Sequence, residues 1–154
     1  MKPDIKKIFC VFVLAIAIKS ICVFIESDYI VDFLGNKIVE ILITLMAINT
    51  ATNSFIVSKL QDIGNQYKTS FKTTYLEIKK SIFEQIILII ISIVVLTIEQ
   101  SKTLHPYITG KLLYIFDVIL IFNFTFALEI LRDTGMAMFD ILIELDNDTA
   151  DKPE

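Results

Sequence analysis

Residues 82–98 read IFEQIILIIISIVVLTI, an almost uninterrupted apolar run. Glu84 is its only charged residue, and isoleucine and valine make up most of the remainder. These β-branched residues favour strands in water, but an isolated strand in lipid would leave its backbone N–H and C=O groups unpaired. A helix pairs those groups within the segment. The sequence therefore predicts a membrane-spanning helix here.

Three further apolar segments are predicted to span the membrane: residues 8–25, 38–57 and 112–131. Each approaches or reaches the roughly 20 residues that a helix needs to cross about 30 Å of hydrocarbon. The 154-residue chain is 55% hydrophobic with a mean hydropathy of +0.67, more apolar than a typical soluble domain. We therefore expect an all-α, integral membrane four-helix bundle over residues 1–132.

The first segment has an alternative interpretation as a secretory signal peptide. Lys2, Lys6 and Lys7 precede an apolar run that contains small residues, which is the pattern of such a peptide. However, the apolar character resumes after Lys19 with ICVFI. We expect this segment to be retained as a membrane helix.

Lysine residues are unevenly distributed among the connecting segments. The N-terminus and the 58–81 loop are rich in lysine, whereas residues 26–36 contain neither Lys nor Arg. Segments with an excess of Lys and Arg remain in the cytoplasm. This bias predicts that both termini and the 58–81 loop are cytoplasmic.

The second span is unusually polar, because the sequence AINTATNS occupies residues 47–54. At 100° per residue its polar groups separate into two surfaces. The first, which we call the polar stripe, consists of Glu40, Thr44, Ala47, Ala51, Ser54 and Ser58. Asn49 and Asn53 lie nearly opposite. The stripe suits close helix packing or, in a symmetric homo-oligomer, a water-filled pore. Either use predicts that the second helix is central.

Ionisable side chains in the spans are expected to share one outer layer. Counting from the loops places Lys19, Glu40 and Asp117 at similar depth, and such residues usually face the bundle and pair. Lys19 is expected to pair with Asp117 or Glu40, with an ion or proton pathway as the alternative. Asn123 falls near the midplane, where amides commonly bond across helices.

The cytoplasmic loop combines aromatic and basic residues at helical spacing. Gly64 and Asn65 are predicted to separate the second helix from a new helix. One face of that helix carries aromatic residues and the next carries lysines: Tyr67, Phe71 and Tyr75 with Lys68, Lys72, Lys79 and Lys80. The helix suits either the lipid headgroup region or a nucleotide or single-stranded oligonucleotide.

The C-terminal segment, residues 133–154, is predicted to contain a cytoplasmic amphipathic helix and a disordered tail. Met138, Ile141, Leu142 and Leu145 form its apolar side, which we expect to dock on the basic loop or a neighbouring subunit. The final residues, DNDTADKPE, are predicted to be disordered.

Motifs for catalysis or metal binding are not evident in the sequence. The only histidine, His105, has no Cys or carboxylate at a metal-ligand spacing. No phosphate-binding glycine loop or hydrolase motif is present. Cys10 and Cys22 are too far apart along one helix to be bridged. We expect no enzyme activity, no cofactor and no bound metal.

The polar second helix, NKIVEILITLMAINTATNSFIVSKL, and the loop NQYKTSFKTTYLEIKK give the chain a resemblance to a class of bacterial proteins. The whole chain resembles the small four-helix membrane effectors of anti-phage defence systems. That resemblance implies an oligomeric inner-membrane pore or channel, which disrupts the membrane potential when a cytosolic nucleotide or nucleic-acid signal reaches the 58–81 loop. The alternative is a non-conducting membrane scaffold or sensor that recruits a soluble partner protein.

Overall fold

The structure is a computed structural model that describes residues 5–67, 71–101 and 110–150. These residues form four helices: α1 (Ile5–Phe24), α2 (Tyr29–Tyr67), α3 (Lys72–Glu99) and α4 (Gly110–Ala150). The prediction of an all-α fold is confirmed. Lys68 and His105 lie outside the described residues.

Three helices of the described chain are long and apolar enough to cross a membrane: α1, α3 and residues Gly110–Ile143 of α4. This indicates an integral membrane protein. α2 is not among them; its second half contains the polar residues of AINTATNS. With 39 residues, α2 is about 58 Å long, well above the thickness of the hydrocarbon.

A tight turn reverses the chain between α1 and α2. Glu26 adopts a φ of 53°, the left-handed conformation that commonly ends a helix. The N–H of Ser27 then donates to the carbonyl of Cys22 at 2.9 Å. α2 therefore runs in the opposite direction to α1.

The central helix is α4, because it packs against each of the other three helices. α2 packs mainly on α3 and α4, and α1 mainly on α4. Within the single chain the central helix is therefore α4 and not, as expected, α2. α4 buries apolar residues over a wide arc, including Phe116, Val118, Leu120 and Ile121, and such a helix belongs inside a bundle. The polar stripe leaves α2 with a narrower apolar surface.

The 58–81 region differs from the predicted separate helix. α2 continues through Gly64 to Tyr67, and Lys72 already belongs to the helix that contains the third span. A glycine costs a helix only about 1 kcal/mol relative to alanine, so Gly64 alone does not end it. The predicted aromatic and basic face is thus divided between α2 and α3.

The C-terminal segment also differs from its prediction. α4 continues without a break across the expected boundary at residue 132 and reaches Ala150, within the segment that was expected to be disordered. Ile141 and Leu142 are half-buried, in keeping with an amphipathic helix. The continuous helix places this segment directly beside the beginning of α3.

Candidate functional site

A buried ion pair joins α1 to α4. The Nζ of Lys19 lies 2.8 Å from an Oδ of Asp117, and the two side chains are only 8% and 7% exposed. Of the two expected partners of Lys19, the structure selects Asp117. The other Asp117 carboxylate oxygen, Oδ1, is buried and has no hydrogen-bond partner among the described residues.

Glu40, the third member of the expected outer layer, lies elsewhere. It is exposed and pairs with Lys37 on its own helix, with 2.8 Å between Nζ and Oε2. Glu99, at the end of α3, lies near Asp117 as a second carboxylate, and one of its oxygens is buried without a hydrogen-bond partner among the described residues. Sequence reasoning assigned Glu99 to the loop because it directly follows the apolar run.

Two buried amides bridge helices, as expected for Asn49 and Asn123. The Nδ2 of Asn49 donates to Ser81 Oγ at 3.1 Å and to Gln85 Oε1 at 3.0 Å. The Nδ2 of Asn123 donates to Ser92 Oγ at 2.9 Å. Periodicity does not identify these partners on α3: Gln85 and Ser92 are isolated polar residues in the apolar run 82–98, and Ser81 lies at the end of the predicted loop. Each bridge stabilises helix packing by roughly 0.6–2 kcal/mol.

Asn53 is buried in the same region, but its side-chain N–H group has no acceptor among the described residues. Its side chain is 3% exposed, and its Nδ2 has no partner among the described residues. Asn49 Oδ1 and Gln85 Nε2 are likewise buried without partners. A buried amide group without a partner costs free energy, so these three atoms lower the stability that the bridges provide.

The polar stripe faces away from the bundle. Every one of its members is exposed: Glu40, Thr44, Ala47, Ala51, Ser54 and Ser58. The hydroxyls of Thr44 and Ser54 each donate to a backbone carbonyl one turn earlier, at 2.9 Å. The stripe is therefore separate from the bundle-facing surface that contains Asn49 and Asn53.

The exposed surfaces of the neighbouring helices are different in character. On α3 they consist of large apolar residues such as Phe83, Ile90 and Val94. On α1 they include Phe9 and Phe12. Such surfaces match a lipid environment, whereas the small and polar residues of the stripe do not. Ile43, Ile48 and Phe55 are exposed beside the stripe on α2.

The predicted ligand-binding residues of the loop are mostly exposed. Lys72, Lys79 and Lys80 are exposed, whereas Phe71 and Tyr75 are half-buried. Lys80 also pairs with Glu84, with 3.2 Å between Nζ and Oε1. The structure describes neither Lys68 nor the side chain of Tyr67. The two lysines without such a pair, Lys72 and Lys79, lie seven residues apart on one face of α3.

Ion pairs also collect at the predicted inner end of the bundle. Lys7 on α1 pairs with Asp133 on α4 at 2.7 Å, and Arg132 pairs with Glu129 at 2.5 Å. The structure thus pairs Glu129 and Glu84 with neighbouring cations. Among the described residues, no group of three His, Cys, Asp or Glu side chains is arranged to hold a metal.

Comparisons with protein-family models, curated proteins and solved structures find no match for this chain.

Proposed function

We propose that the chain is a subunit of a symmetric homo-oligomeric pore in the bacterial inner membrane, controlled by a cytosolic nucleotide or nucleic-acid signal. In this proposal all four helices span the membrane, both termini are cytoplasmic, and pore opening disrupts the membrane potential in anti-phage defence. The observation that carries it is the outward orientation of the polar stripe.

Lipid tails are a poor environment for the polar stripe. Lipid tails provide no hydrogen bonds for Thr44 and Ser54 beyond those within the helix, and no favourable surroundings for a carboxylate such as Glu40. Alanines and serines allow two helices to approach closely. Hydroxyl and carboxylate groups also line pores. Both properties support contact of α2 with another subunit or with water.

The interior of a single bundle offers no continuous polar route for ions. Within one bundle, the buried polar groups of α3 are separated by apolar side chains, since Leu88 and Val95 lie on the same face as Gln85 and Ser92. Asn123 bonds to Ser92 and occupies that space further. These contacts favour a route between subunits, along the polar stripe, over a route through a single bundle.

The exposed lysine face of α3 suits control by a cytosolic signal. Lys72 and Lys79 present two positive charges on one exposed face of α3, and Tyr75 is partly accessible between them. Lysines with a neighbouring aromatic ring suit phosphate groups and bases. α2 is one continuous helix from this end of the bundle to the stripe, which supports coupling between the two.

Ion flux into liposomes tests the proposal. We expect flux in the presence of the correct nucleotide or oligonucleotide, and its loss when the stripe is enlarged by A47L/A51L. The matched control is V94L/T97L, which enlarges two exposed residues of α3. Flux that is absent with every added nucleotide, or lost equally in both variants, would overturn the proposal.

A second candidate is the non-conducting scaffold, supported by a different surface. Met136, Phe139 and Ile143 form an exposed apolar row on α4 beyond residue 131. Such a row suits a soluble partner protein. This candidate predicts no current and loss of the co-purified partner in M136E/F139E/I143E, which places charges on this row; a partner that stays bound would exclude it.

A further inference from the structure

A cavity of about 490 Å³ lies at the end of the bundle where α3 begins, and all four helices contribute to its walls. Its volume is in the range of small-molecule sites. Ile56, Ile78, Phe126 and Ile130 provide apolar walls from three helices. The cavity is distinct from the exposed lysine face of Lys72 and Lys79, because neither lysine lines it.

A buried asparagine lies in the cavity wall. Asn53 contributes to its wall, and the Nδ2 of this 3% exposed residue has no partner among the described groups. Ser81, which accepts a hydrogen bond from Asn49, lies nearby in the same wall. An occupant with a carbonyl oxygen would satisfy the free amide N–H.

The charged residues around the cavity are mainly acidic. Four carboxylates line it, namely Glu77, Glu84, Glu129 and Asp133, but only two lysines, Lys7 and Lys80. Both lysines pair with carboxylates from this set, and Arg132 pairs with Glu129. Glu77 makes no ion pair with any residue that the structure describes. The unpaired charge is therefore negative.

The geometry points to a binding site for a small amphiphile that carries one positive charge and one carbonyl group. Its apolar body packs between Ile56, Phe126 and Ile130. Its carbonyl oxygen accepts from Asn53 Nδ2, and its ammonium group lies beside Glu77, one helical turn from Ser81 on α3. This site is independent of conduction by the oligomer.

Other occupants satisfy fewer of these groups. An anionic nucleotide would place its phosphates among the excess carboxylates. The acyl chain of an anionic lipid would fill the apolar walls, but its headgroup would bring further negative charge beside Glu77. Water alone would hydrate the polar atoms but has no favourable contact with the isoleucine and phenylalanine walls.

Binding of decanoylcholine to the full chain in dodecyl maltoside micelles tests the inference, with protein-free micelles as the background; this detergent carries neither a charge nor a carbonyl group. We expect saturable binding of one molecule per chain, at least about tenfold tighter than binding of decyl sulfate. Decyltrimethylammonium, which lacks the carbonyl, should bind more weakly. Equal affinity for the cationic and anionic probes, or no saturable binding, would overturn the inference.

Variants locate the binding. We expect E77Q and N53A each to weaken decanoylcholine binding by about three- to tenfold, and N53A to leave decyltrimethylammonium binding unchanged. Both variants should fold, because Glu77 has no ion pair to lose and Asn53 Nδ2 has no hydrogen bond to lose among the described residues.

Two further variants complete the test. A137L adds volume at an exposed position in the cavity wall and should abolish binding. E26Q removes an exposed carboxylate in the turn between α1 and α2 and should leave binding unchanged. Binding that persists in A137L and E77Q would show that the probe lies elsewhere and would contradict the proposed site.

Discussion

Ala47 and Asn49 lie two residues apart on α2 and face opposite sides of the helix. Asn49 is fully buried and bonds to Ser81 and Gln85, whereas Ala47 is exposed. α2 therefore has one polar surface committed to the bundle and another that the single chain leaves uncovered. The account of this protein as an oligomer depends on the second surface.

The buried ion pair predicts a large difference between single and double substitutions. K19M leaves the Asp117 carboxylate buried without its cation, which should lower the free energy of unfolding by about 3–5 kcal/mol. For a chain of this size that corresponds to a fall in Tm of roughly 6–20 °C. Replacing both partners in K19M/D117L should restore most of the loss, as measured by thermal unfolding in detergent.

The exposed pair of Lys7 and Asp133 is the matched control for this experiment. Its 2.7 Å separation is nearly the same, but its side chains are 43% and 47% exposed. Because solvent screens such pairs, K7M should cost less than about 1 kcal/mol. A K19M/D117L variant as unstable as K19M would contradict the interpretation of a paired, buried charge.

The amide of Asn123 is predicted to stabilise the packing of α4 on α3. N123A removes the hydrogen bond to Ser92 and should lower stability by roughly 0.6–2 kcal/mol, measured by unfolding in mixed micelles. T97V provides the comparison, because Thr97 is exposed and bonds only to a carbonyl of its own helix. A larger effect of T97V than of N123A would count against this assignment.

Glu40 and Lys37 predict opposite changes in ion selectivity. In the proposed pore they form a charged pair near the outer mouth, so E40Q should lower the ratio of K⁺ to Cl⁻ flux and K37Q should raise it. Reversal potentials across a KCl gradient measure this ratio. Unchanged selectivity in both variants would place the ion route away from this pair.

The sequence predicted the features that depend on local chemistry. Continuous apolar runs such as residues 82–98 allow only a helix in lipid, and Asn49 and Asn123 must find partners there. The rotation of 100° per residue along α2 correctly separates Asn49 and Asn53 from the polar stripe, because that separation follows from helix geometry alone.

Features that depend on packing could not be predicted in this way. Which surface of α2 meets the bundle is decided by partners on α3, Gln85 and Ser81, which periodicity does not identify. The centrality of α4 likewise depends on competition among four apolar helices. Gly64 does not end α2, because a single glycine costs a helix only about 1 kcal/mol relative to alanine.

Cysteine cross-linking in native membranes tests whether the polar stripe of α2 forms the contact between subunits. In a C10S background, which removes the exposed native thiol, A47C is compared with V94C on the exposed apolar face of α3. The account predicts disulfide-linked dimers for A47C and little or none for V94C. Monomeric A47C together with cross-linked V94C would show that α3, and not the polar stripe of α2, forms the subunit contact.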